Sequence, residues 1–157
     1  MRCLEAICRG VRRIIDAFPN VQIVCPVHPN PRVQTIVREN LENLDRVYLT
    51  EPLDVEDMHN LMARSFLVMT DSGGLQEEAP ALGVPVLVLR TETERPEAVE
   101  AGTVEVIGVE EKVVYAKAAA LLTNHGLYAK MANAVNPYGD GYASKRISEA
   151  LCAYFGR

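Results

Sequence analysis

Five short apolar runs, separated by segments whose apolar residues recur every three to four positions, dictate what this 157-residue chain can fold into. The runs fall at 21–25, 46–50, 66–70 and 85–89, with a weaker one at 103–107. The first helical segment, 2–18, sets Leu4, Ile7, Cys8, Val11, Ile14, Ile15 and Phe18 on one face. Further helices are predicted over about 31–42, 54–65, 75–82, 110–123, 125–133 and 142–155, the last aligning Ala143, Ile147, Leu151 and Tyr154. A strand that is apolar on both sides must be covered on both faces, and interleaved amphipathic helices supply that cover. The expected fold is α/β, a doubly wound parallel sheet of one domain's size. Loops rich in Pro and Gly follow the strands, and in such sheets ligands bind at the carboxyl ends.

Composition excludes several classes. A formal charge of −5 argues against general nucleic-acid or anionic-membrane binding, which needs a basic surface. No apolar run nears the roughly 20 residues that span a bilayer. Glu5, Arg9, Arg12 and Arg13 interrupt any signal-peptide core. Cys3, Cys8, Cys25 and Cys152 have no metal-ligand spacing, so Cys8 and Cys25 are expected as small buried hydrophobes in a reducing cytoplasm. Neither a metal nor a cofactor is expected.

The most informative segment runs Thr70-Asp71-Ser72-Gly73-Gly74-Leu75-Gln76-Glu77-Glu78-Ala79-Pro80. It leaves a strand, turns through two glycines and opens a helix, whose first amides suit a phosphate. The competing reading is that Asp71 or Ser72 merely caps the helix. Leu75, Ala79 and Leu82 mark the expected apolar face. Glu78 borders it and would need a partner such as a ribose diol, while Gln76 and Glu77 are placed on the solvent side. Pro26-Val27-His28-Pro29-Asn30-Pro31 stiffens a loop and fixes His28 and Asn30, for structure or for ligand contact. In Thr93-Glu94-Arg95-Pro96-Glu97, Arg95 either clamps a diphosphate or pairs with Glu92, Glu94 or Glu97. Met58 reads as core, and Asn136-Pro137-Tyr138-Gly139-Asp140-Gly141 as a tight connection. The sequence contains no P-loop, GxGxxG, zinc site or Ser-His-Asp pattern.

In order along the chain, these four motifs resemble the second domain of the non-hydrolysing UDP-N-acetylglucosamine 2-epimerases. That family has two Rossmann-like lobes in the glycosyltransferase-B architecture, with the UDP-sugar between them. It interconverts UDP-GlcNAc and UDP-ManNAc by eliminating UDP and adding it back. The resemblance implies that Ser72 and Gly73 bind the diphosphate, Glu78 the ribose hydroxyls and Arg95 the phosphate region. It also implies that the backbone around Met58 reads the uracil edge, and that His28, with Asn30 beside it, meets a second, activating UDP-GlcNAc. The expected partners are UDP-GlcNAc or UDP and an N-terminal lobe, with a homodimer left open.

The family's proton-transfer carboxylates belong to that N-terminal lobe, and its Thr-x-His-Arg-x-Glu-Asn motif precedes the first helix. This chain carries neither, so none of its residues is assigned a catalytic role and turnover is not expected from it alone. A nucleotide-sugar-binding or regulatory module and a glycosyltransferase donor lobe are the other classes considered. The resemblance also implies a strand before helix 2–18, which in the usual order, 3-2-1-4-5-6, would be the central one. Without it, runs 21–25 and 66–70 lose their shared neighbour, leaving a gap, a direct pairing or a strand from another chain. Ile7, Val11 and Ile14 would then be more exposed than their pattern implies.

Overall fold

In a computed structural model, which describes residues 2–156, each apolar run forms a parallel strand. The strands are β1 (Ile23–Pro26), β2 (Val47–Thr50), β3 (Val68–Thr70), β4 (Val86–Val88) and β5 (Val104–Val106). The helices are α1 (Arg2–Ala17), α2 (Pro31–Leu41), α3 (Val55–Arg64), α4 (Gly73–Ala81), α5 (Pro96–Ala101), α6 (Glu111–Thr123), α7 (His125–Ala132) and α8 (Ala143–Phe155). The six-residue α5 has no counterpart among the helices expected from sequence, being too short to show a helical period. Its signals were Pro96 in the first turn and Gly102 just beyond the end, at φ 77°.

The strands form two sheets, β1-β2 and β3-β4-β5. Ile23 pairs with Val47, Val68 with Val86, and Val86 with Val104. Every pairing agrees with the 3-2-1-4-5-6 order with its central place empty. Of the three outcomes considered, the gap is the one seen: among the described residues β1 and β3 pair neither with each other nor with a second neighbour.

α1 bridges the two sheets. On one side Cys8, with Leu4 and Val11, packs against Val27, Val37 and Leu41. On the other, Ile14 joins Leu87, Val114, Ala118 and Leu121. Ile14 is therefore buried, against expectation, because α6 and β4 cover it; Ile7 and Val11 are half-buried. The second sheet is covered on both faces, since Leu87 points to the α1–α6 side while Val86 and Val88 meet Met62, Ala79 and Ala98 opposite. The first sheet is not. Val24 and Tyr48, paired in register, are exposed, so run 21–25 is half-buried rather than buried. Cys8 is buried, as expected, whereas Cys25 is only half-buried, because its sheet is less completely covered.

Candidate functional site

Residues from α3, α4 and the 93–95 loop gather near the carboxyl end of β3. Thr70, the buried last residue of that strand, accepts a hydrogen bond from the Ser72 amide through Oγ1 (3.0 Å) and fixes the turn into α4. Ser72 occupies the N-cap position with extended backbone, φ −77° and ψ 129°, yet its side chain makes no capping bond. Neither does any acidic side chain occupy the first turn. The amides that open α4 are thus left without side-chain acceptors, the condition under which a helix start holds an anion. Gly73 and Gly74 are the first residues of the helix itself, not a turn before it.

The buried face of α4 differs from the expected one. Gln76, Ala79 and Pro80 are buried, whereas Leu82 is 43% exposed. Gln76, expected on the solvent side, is completely buried because both ends of its amide are engaged. Its Nε2 donates to the Ser72 carbonyl (3.2 Å) and its Oε1 accepts from Thr93 Oγ1 (2.6 Å). Thr93 Oγ1 in turn accepts from the Arg95 amide (3.1 Å), so Gln76 anchors the 93–95 loop beside the start of α4. Sequence reasoning missed this residue. The signal was the spacing 76, 79, 80, which selects a different helical stripe from 75, 79, 82.

Glu77 is half-buried and engages Arg95, a partner outside the three considered for that arginine. The bond to Glu77 is the main reason the Arg95 pKa lies above its ordinary value, and the guanidinium stays charged. Glu94 lies close by. A β-carbon at Gly73 would stand 2.8 Å from Glu94 Oε1. The Glu94 carboxyl is held below its usual range by its own backbone amide, with Arg90 and Arg95 adding to the effect. Tyr138, from the 136–141 loop, packs against the same core, and burial raises its phenol's pKa. Its hydroxyl is buried without a protein partner.

Further along α4, Glu78 is exposed rather than tucked beside an apolar face, and its partner is His59 on α3. Glu78 and His59 line a pocket of about 190 Å³ together with Leu53, Asp54, Met58 and Leu75. Met58 is half-buried, with one part in the core and one in this pocket.

Compared with known proteins, residues 2–152 match the family model described as UDP-N-acetylglucosamine 2-epimerase. This chain belongs to that family. The epimerase of Bacillus subtilis is 52% identical over 153 residues, which are 98% of this chain and 40% of that protein. Among solved structures, a Staphylococcus aureus MnaA–UDP co-structure superposes with a TM-score of 0.95 at 47% identity, over 99% of this chain and 43% of that one. A UDP-GlcNAc 2-epimerase from Neisseria meningitidis, bound to UDP-GlcNAc, gives 0.93 at 41% identity, over 98% and 41%. The chain therefore spans about two fifths of the relatives it matches, and its fold is one Rossmann-like unit of that family's glycosyltransferase-B-like architecture.

Of the residues singled out from sequence, Ser72, Gly73, Glu78, Met58 and Arg95 lie on the linked elements α3, α4 and the 93–95 loop. Among the described residues, His28 and Asn30 make only local bonds. The Asn30 amide donates to His28 Nδ1 (3.1 Å), and Asn30 Oδ1 accepts from the Arg32 amide (2.9 Å), capping α2. No helix is long and apolar enough to cross a membrane among the described residues.

Proposed function

We propose that this chain is the UDP-binding lobe of a UDP-N-acetylglucosamine 2-epimerase, holding the nucleotide of UDP-GlcNAc during its interconversion with UDP-ManNAc. The observation that carries the reading is the start of α4. An unengaged Ser72 hydroxyl and free first-turn amides lie less than two helical turns from a carboxylate, Glu78, at the edge of a pocket. In this reading Ser72 and the Gly73 backbone take the diphosphate, and Glu78 takes the two ribose hydroxyls. The base lies toward Met58 and Leu53. Arg95 turns from Glu77 to the phosphates, exchanging one carboxylate for a more highly charged anion. His28 and Asn30 are assigned to the loop that meets a second UDP-GlcNAc, although their present bonds serve the turn and the α2 cap.

The acid–base groups of the reaction are assigned to a second lobe, corresponding to the remaining three fifths of the relatives' length. The exposed face of α8 supports such a partner. None of its residues is buried, and Ile147 and Leu151 expose 60% and 53% of their surfaces one turn apart. Four free thiols and a nucleotide sugar suit the cytoplasm.

Thermal unfolding with UDP tests the nucleotide assignment. Ligand at about 100 times its dissociation constant adds roughly 2.7 kcal/mol to the native state. Wild type is expected to show this shift and Glu78→Gln to lose most of it. An equal shift in both proteins would remove Glu78 from the site.

A further inference from the structure

His59 reaches across from α3 and places Nε2 2.9 Å from Glu78 Oε2. A carboxylate only accepts, so the ring nitrogen carries the proton and donates, whatever the charge of the ring. Side-chain exposures of 48% and 46% put the pair at the pocket edge, where an ion pair contributes little to stability. What it does fix is direction. Glu78 is a flexible side chain on an exposed helix face, yet its two oxygens are differently placed. Oε2 is taken by His59, while Oε1 turns back along α4 toward Gly74, where a β-carbon would stand 3.4 Å from it. The same absent β-carbon would stand 3.9 Å from Ser72 Oγ. The missing side chain at Gly74 thus leaves open a path running from the Ser72 hydroxyl to Glu78 Oε1. Each carboxylate oxygen has two acceptor positions, so a bond from His59 leaves three for other donors.

We propose that His59 is a positioning residue: it holds the Glu78 carboxylate in the one orientation that can accept both hydroxyls of a ribose diol. The inference rests on the assignment of this pocket to the nucleotide and adds the group that prepares it. A carboxylate already held in place loses less side-chain freedom when the diol binds, so His59 contributes to affinity without touching the ligand.

The signature is selectivity for the diol. The 157-residue chain is titrated calorimetrically with UDP and with 2′-deoxy-UDP, which lacks one hydroxyl. Wild type is expected to prefer UDP. His59→Ala reduces that preference about five-fold, the effect of one lost hydrogen bond, while affinity for 2′-deoxy-UDP hardly changes. His59→Gln, whose amide places a donor near the same point, retains the preference. In a Glu78→Gln background, His59→Ala has no further effect. A His59→Ala protein that weakens both ligands equally, or neither, overturns the positioning role while leaving the nucleotide assignment intact. A wild-type chain that binds no UDP removes the nucleotide assignment, and this role with it.

Discussion

Arg46 stands in the left-handed backbone region, at φ 66°, where non-glycine residues are uncommon. Its guanidinium explains why it is held there. Nη1 donates to the carbonyls of Phe18 (2.8 Å) and Val21 (2.9 Å), and Nη2 to that of Ile15 (2.8 Å), closing the C-terminal end of α1. A cation at that end also meets the negative pole of the helix. Arg46→Ala keeps the backbone penalty and loses the three bonds, and is expected to cost about 2 kcal/mol in urea unfolding. A loss within experimental error would show that water replaces the guanidinium without cost. Cys8, on the same helix, gives a pH dependence. Burial, reinforced by nearby Cys25, pushes its thiol from an ordinary 9.0 to about 11. Between those values the unfolded chain releases a proton that the folded chain retains, so stability falls as pH rises through the interval. Below it both states are protonated and Cys8 adds no slope. Wild type should therefore lose stability relative to Cys8→Ala as pH rises from about 9 to 11. Parallel pH profiles for the two proteins would contradict the raised thiol.

Among the elements, α1 packs against α6, and Gly10 sits at their contact. A β-carbon there would lie 2.8 Å from Val114 Cγ1 and 3.1 Å from the Glu111 carbonyl. Val114 is completely buried and cannot give way. On an exposed helix, replacing Gly by Ala stabilises by about 1 kcal/mol. At Gly10 the sign should reverse, with Gly10→Ala destabilising by about 1–3 kcal/mol through forced separation of the helices. A melting temperature at or above wild type would show that α1 shifts without penalty. Spacing alone revealed α1 with its apolar face and the extent of α6, because both helices run for three turns or more. It did not reveal Gly10 as a contact, since the partner lies about a hundred residues away in sequence.

For the whole molecule, the unfilled place between β1 and β3 has a measurable consequence. Ile23 and Val27 donate toward β2, and Val68 toward β4. By strand alternation, the amides of Val24 and Met69 point to the edges without a ladder. β4 is paired on both sides, and Val86, Leu87 and Val88 are completely buried. Hydrogen exchange should accordingly be slowest in β4 and faster at Val24 and Met69. Equal protection at these two amides and in β4 would mean that the gap is closed in solution. The four motifs that carry the family resemblance were legible because each is local, a loop or turn of five to eleven residues. Their joining was not. Gln76 holds the Arg95 loop and His59 meets Glu78 through contacts between segments 17 and 19 residues apart.

The sequence by itself determined the α/β alternation, the strand-to-helix turn that opens α4 and the family. Each follows from periodicity within a segment or from a contiguous motif, where the interacting atoms are neighbours along the chain. Tertiary structure alone decided which stripe of α4 is buried, which carboxylate occupies Arg95, that Ser72 leaves its hydroxyl unengaged, and that His59 stands against Glu78. Those outcomes depend on the rotation of helices about their axes and on competition among several donors and acceptors of similar strength. A rotation smaller than the angle between adjacent helical residues exchanges Gln76 for Leu75 at the core, and only the packing of α3, β4 and the 93–95 loop fixes it.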